Sequence, residues 1–134
     1  MAYDETLRSI SLDSDDTIGF YTGVPGARGS LSPNGGKQYH FVDITGPHQC
    51  GLAGAGAEAI GVLQNKPQYA GEAATVAIGG ISLVVAGGVL EAGDKVSANA
   101  DGRGIKTTST NAVLGRVILG AGDGELAAVL LLTS

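Results

Sequence analysis

Glycine punctuates this chain at intervals that leave room for little but short extended segments. Of 134 residues, 23 are glycine, well above the usual ~7%. They follow no three-residue period, which excludes a collagen-like helix. Inside an α-helix each would cost roughly 1 kcal/mol relative to alanine, so long helices are disfavoured as well. The pairs Gly79-Gly80 and Gly87-Gly88 supply positive φ with no Cβ to clash, and read as turns.

Between the glycines lie runs of β-formers. Thr17–Thr22 and Lys37–Thr45 read as strands in the first half, separated by GVPGARGSLSPNGG, which has loop composition throughout. Residues 46–58 are too glycine-rich for a sustained helix, with room for one short helical turn over Leu52–Glu58. The second half holds Ala59–Gln64, Ala73–Ile78, Ile81–Ala86, Lys95–Ala98, Gly104–Thr107, Val113–Leu119 and Leu126–Leu132. Asn99-Ala-Asp101-Gly102 reads as a hairpin with a bulge, and Gly120-Ala-Gly122-Asp-Gly124 as another turn. Alternation in Val113–Leu119 puts Val113, Gly115, Val117 and Leu119 on one face and Leu114, Arg116 and Ile118 on the other. A face carrying Arg116 meets solvent or a neighbouring subunit. The expected class is all-β, a small β-barrel or β-sandwich. With 43% hydrophobic residues the chain can build a packed core.

Charge divides the chain unevenly. Residues 1–58 carry three basic residues against seven acidic ones, whereas 59–134 carry five against six. The total of −5 and the scattering of eight Lys and Arg argue against a nucleic-acid partner, which needs clustered cations. The acidic N-terminus has no apolar run of signal-peptide type. The longest apolar stretch, Leu126–Leu132, is far short of the ~20 residues of a membrane-spanning helix. Cys50 stands alone, so no intrachain disulfide forms, and a reducing cytoplasm suits the chain.

Each motif that carries chemistry fails on context. Gly54-Ala-Gly56-Ala-Glu-Ala59 matches G-x-G-x-x-A, but a dinucleotide site needs a long helix after it, and IGVLQ reads as strand. A P-loop ending at Gly36-Lys37 would need glycine at Leu31 and Ser or Thr at Gln38. A calcium loop begun at Asp13 would need glycine at Ile18 and glutamate at Val24, and one begun at Asn99 would put Arg103 at a ligand position. His40, His48 and Cys50 are irregularly spaced for zinc. Gly61-Val-Leu-Gln64 and Tyr69-Ala-Gly71-Glu72 are superficially similar to a trimeric dUTP pyrophosphatase segment. The water-activating acid is replaced by Gln64, however, which cannot act as a base. No catalytic residue, cofactor or metal is expected.

Several segments in fixed order resemble one family. Glu58-Ala-Ile-Gly61-Val-Leu-Gln64-Asn65-Lys-Pro67 is followed by Ala70-Gly71-Glu72-Ala-Ala-Thr75-Val76. Then come Gly80-Ile-Ser-Leu-Val84-Val85-Ala86-Gly87, Ala92-Gly93-Asp94-Lys-Val96, Asn99-Ala-Asp101-Gly102-Arg103, Leu114-Gly115-Arg116-Val117 and Val129-Leu-Leu. This series resembles the capsid cement, or head decoration, proteins of tailed bacteriophages, over residues 58–134. The positions that carry the resemblance are Gly61, Gln64, Asn65, Pro67, Gly71, Glu72, Gly93, Asp94, Asp101, Gly102, Gly115 and Arg116.

The resemblance implies a structural virion protein, not an enzyme, that assembles in the host cytoplasm and sits on the outer surface of the head. There it binds as a homotrimer and bridges major capsid proteins. Residues 59–134 are then the compact β domain, and residues 1–58 an extended N-terminal arm with short strands and loops. The alternative is a β-rich receptor- or carbohydrate-binding virion module. Such sites lean on aromatic platforms, and this chain has six Phe and Tyr and no Trp.

Overall fold

The computed structural model describes residues 8–18, 37–108 and 111–131. These residues form an all-β structure of nine strands: β1 (Arg8–Ser14), β2 (Phe41–Gly46), β3 (Gln49–Leu52), β4 (Gly61–Leu63), β5 (Ala73–Val85), β6 (Lys95–Ala98), β7 (Gly104–Lys106), β8 (Gly115–Leu119) and β9 (Leu126–Leu131). The strand order is β1-β3-β2-β4-β5-β9-β8-β6-β7, and β1 pairs with β5 as well as with β3. That extra pairing closes the first five strands into a ring. The far edge of the remaining strands returns to the end of β5 through one parallel bridge, Ala86 to Gly104. The outcome is a barrel-like ring joined to a partly closed second one.

Strand β5 links the two. Its first half pairs with β1 and β4, and its second half, Gly80–Val85, pairs with β9. The expected turn at Gly79-Gly80 is therefore absent, and one 13-residue strand runs through it. The physical reason is that the pair bends the strand instead of reversing it. Gly80 has φ +89°, and the space where Gly79 would carry a Cβ lies 3.0 Å from the Arg8 guanidinium.

Two apolar cores lie on opposite faces of β2, β4 and β5. Leu12, Ile18, Val42, Cys50, Leu63, Ala74 and Val76 fill the first ring. Phe41, Val62, Ala77, Val84, Val96, Val117, Val129 and Leu131 belong to the second core. Consecutive residues thus point into different cores: Phe41 and Val42, Val62 and Leu63, Val76 and Ala77. The register aligns Phe41 with Val62 and Val62 with Ala77, so each row of side chains stays on one side of the wall.

Residues 52–58 contain no helical turn: Leu52 ends β3, and a tight turn at Ala55-Gly56 follows, Gly56 having φ +67°. Glycine content disfavours helix there, and the turn is fixed by Gly56 N donating to the Ala98 carbonyl at 2.9 Å. Thr17 and Ile18 lie in a turn, and the rest of the expected strand Thr17–Thr22 lies outside the described residues. Strands β1 and β3 were not read from the sequence. As to the division expected at residue 58, the described residues on both sides of it contribute to the same sheet and to both cores.

Gly61 permits the closest approach in this wall. A Cβ there would lie 2.0 Å from the Ala77 carbonyl oxygen, whereas one at Gly54 would meet nothing within 4 Å. Gly61→Ala is therefore expected to destabilise the protein by about 3 kcal/mol, the upper range of overpacking. Gly54→Ala is expected to stay within about 0.5 kcal/mol of the parent. Urea unfolding of the two variants side by side checks the contrast.

Candidate interaction surface

The positions carrying the family resemblance fall into scaffold roles, in three groups and two isolated strand sites. Gln64, Asn65, Pro67, Gly71 and Glu72 come together in the loop between β4 and β5. Asn65 spans its mouth, donating to the Ala73 carbonyl at 2.9 Å and accepting from Thr75 N at 2.9 Å. Its amide thereby imitates a strand partner. Gln64 donates to the Val62 carbonyl and to Ser82 Oγ. Glu72 accepts from Gln68 N at 3.0 Å, Gly71 has φ +92°, and Pro67 is buried.

Gly93, Asp94 and Arg116 form the second group. Gly93 has φ +93°, Asp94 Oδ2 accepts from Glu91 N at 2.9 Å, and Arg116 Nη2 donates to the Gly93 carbonyl at 3.0 Å. The third group is the β6–β7 hairpin loop. There Asn99 Oδ1 accepts from the backbone N–H groups of Asp101 and Arg103, and Gly102 has φ +75°. This side-chain hydrogen bonding sets the turn. Gly61 and Gly115 stand apart in β4 and β8, and at Gly115 a Cβ would lie 2.5 Å from the Leu130 carbonyl.

Some titratable groups are likewise occupied locally. Among the described residues no three of His, Cys, Asp and Glu gather as metal ligands would. Asp15 Oδ1 accepts from Thr17 N at 2.8 Å and from Thr17 Oγ1 at 2.5 Å, and Oδ2 accepts from Thr45 Oγ1 at 2.8 Å. Its carboxylate pins the turn after β1. Asp13 and Asp16 line a shallow open recess with Pro47, Gln49 and Gly71, and His48 stands 3.9 Å from Asp13. Cys50 is wholly buried, and desolvation, with Asp15 and Asp13 adding to it, pushes its thiol up to about 11.

His40 is 5% exposed, with Nδ1 donating to the Gln38 carbonyl at 3.1 Å. Burial lowers its pKa from 6.5, and the nearby Lys37 and Arg103 charges push the same way against that hydrogen bond.

What the fold leaves open is an apolar sheet face. In β5, β9 and β8, the side chains of Ser82, Val84, Ala127, Val129, Leu131 and Val117 point inward and are buried, and Gly115 is buried among them. Their neighbours point out. Leu126 is 46% exposed, and Leu83 and Ile118 are 40% exposed each. The register sets Leu83 opposite Ala128, Val85 opposite Leu126, and Arg116 opposite Leu130. The face expected to carry Arg116 and Ile118 does reach solvent. Leu119, expected on the face opposite Arg116, is 67% exposed, because a bulge between Val117 and Leu119 breaks the alternation. The full extent of this surface was not legible in Leu126–Leu131, where inward and outward positions are equally apolar.

No family model matches the chain, and no curated protein matches it. Among solved structures it is similar to the head fiber gp8.5 N base of bacteriophage phi29. The TM-score is 0.65 at 15% identity, and the match covers 95% of this chain and 95% of that one. At this identity the shared property is the fold.

Buried neutral His40 has a pH signature. The unfolded chain takes up the proton just below pH 6.5, while the folded chain resists it until lower pH. Stability is therefore present above 6.5 and falls as pH drops through the window below it. Urea midpoints between about pH 7.5 and 5.5 should fall for the parent and change less for His40→Gln.

Proposed function

We propose that this protein is a structural component of a tailed-phage virion that binds the outer surface of the head and stabilises it by bridging major capsid proteins. The observation that carries the reading is the likeness of fold to the N base of a phage head fiber, over 95% of both chains. The ordered segments between Glu58 and Leu131 that resemble head decoration proteins support it independently.

The geometry agrees with a binding role made of surfaces. Turn residues are tied to backbone groups, and Asp15 is consumed in local hydrogen bonds. Asp13 and Asp16 remain exposed at one end of the first ring. Such an acidic surface steers a protein toward basic patches on a partner, and the attraction weakens as salt rises. Many copies on a symmetric lattice turn weak single contacts into firm attachment.

A second reading, the base of a head fiber, is favoured by the phi29 neighbour itself. Both readings place the protein on the head. They differ in what it does there.

Co-sedimentation with heads assembled without this protein tests the proposal. Saturable pelleting is expected, tighter at low salt than at high. A cement role further predicts that decorated heads withstand a higher temperature before releasing DNA, whereas a fiber base leaves that temperature unchanged. Failure to pellet at any salt concentration would contradict both.

A further inference from the structure

The turn that leads into β2 is strained, and the cations beside it are unpaired. Gln38 and Tyr39 are its central residues, and His40 N closes it by donating to the Lys37 carbonyl at 3.1 Å. Tyr39 has φ +66° at the position that glycine usually takes in such a turn. A bulky residue in that conformation is an outlier, and strain of this kind gathers at sites that clamp a ligand. The sheet holds it there. Tyr39 N donates to the Leu63 carbonyl at 2.7 Å, and the Tyr39 carbonyl accepts from Val85 N at 3.0 Å. The backbone that carries Lys37 and His40 is thereby locked against β4 and β5.

The β6–β7 loop brings Arg103 to the same corner. His40 Cβ lies 3.4 Å from where Gly102 would carry one, and Phe41 N donates to the Gly102 carbonyl at 2.7 Å. Arg103 Nε is buried without a hydrogen-bond partner. Neither Lys37 nor Arg103 joins an ion pair among the described residues. Two carboxylates neighbour the loop, and neither pairs with it. Asp101 is exposed in the loop itself, and Glu125, whose carbonyl accepts from Ala86 N, turns its carboxylate to Gly122 N at 2.8 Å. The charges that act on buried His40 are those of Lys37 and Arg103. The acidic end of the molecule lies away from this corner. Asp13 pairs with Gln49 and Gln49 with Gly46, so Asp13 stands at the far end of β2. From Phe41 to Gly46 is five residue steps of extended chain, or ~17 Å.

We infer that Lys37 and Arg103 receive an acidic segment of a capsid polypeptide, as the second contact of a bridge whose first contact is made by Asp13 and Asp16. This rests on the head-binding reading above and names the residues that do the bridging. A bridge needs two separate contacts on one copy, and β2 holds these two a fixed distance apart. Contacts of opposite sign also set direction, because a reversed copy would lay like charge on like charge. Arginine's planar fork matches a carboxylate, and a turn already locked in place has little backbone freedom left to lose on binding. Nucleic acid is the poorer occupant. Two cations at one corner of a chain of net charge −5 do not track a phosphate backbone.

Co-sedimentation of full-chain variants with heads assembled without this protein tests the inference. Lys37→Gln with Arg103→Gln should weaken pelleting by roughly tenfold or more, the worth of one hydrogen bond to a charged group. Thermal melting checks that this variant is folded, and Lys37→Gln alone should show a smaller loss in the same direction. Lys95→Gln with Lys106→Gln removes the same charge from the far end of the β6–β7 hairpin and should bind as the parent does. Asp13→Asn with Asp16→Asn should weaken pelleting independently, so that the two losses multiply when combined. Undiminished pelleting of the Lys37 and Arg103 variant would overturn the inference and leave head binding standing. So would an equal loss in the Lys95 and Lys106 variant, since net charge and not the corner would then decide. Retention of the parent, but not of the Lys37 and Arg103 variant, by a duplex DNA oligonucleotide would overturn it in favour of nucleic acid. No pelleting by the parent would overturn the head-binding reading, and the inference with it.

Discussion

A strand buried on both faces must present apolar side chains at consecutive positions, and β2, β4 and β5 do so with Phe41-Val42, Val62-Leu63 and Val76-Ala77. These three strands form a wall between two cores. Neither core is large, and each depends on the other to cover the back of that wall. Gly61 sets how closely β4 and β5 can approach, because its missing Cβ leaves room for the Ala77 carbonyl. Gly80 lets β5 bend from one ring into the next without breaking its hydrogen bonding. Hydrophobic burial drives the assembly, but glycine placement decides which strands can meet.

The all-β class was legible because glycine spacing and β-branched runs agree, and most second-half strands were found within a residue or two. The errors share a cause. Gly79-Gly80 carries the same local signal as a turn, and only the partners on either side, β1 and β9, distinguish a bend from a reversal. Strand β1, RSISLDS, has polar residues on its outer positions and only Leu12 and Ser14 buried, so its strand character depends on pairing with β5. Residues Gln49–Leu52 give no strand signal because glycine lowers their propensity, yet tertiary pairing with β2 overrides it.

The exposed face was half legible. Arg116 and Ile118 alternate with Val117 and announce an outer surface, but Leu126–Leu131 is apolar at every position and announces nothing about direction. A bulge at Ile118 then adds Leu119 to the surface, a change that alternation alone cannot foresee. The positions carrying the family resemblance have a consistent physical meaning. Asn65 replaces a missing strand partner with its side chain, Asp94 ties a turn amide with its carboxylate, and the glycines allow φ or contacts that other residues resist. They are what a fold needs in order to close its loops. That is why they mark a fold more securely than they mark a contact with a capsid.

Native-state hydrogen exchange tests most directly whether one shared wall organises the molecule. The account predicts that amides of β2, β4 and β5 exchange only through global unfolding, and that β1 and β3 are lost in the same event as β8 and β9. Exchange of β1–β3 at much lower free energy than β5–β9 would contradict it. The first half would then be an arm laid on an independent domain, with the second core standing without the first.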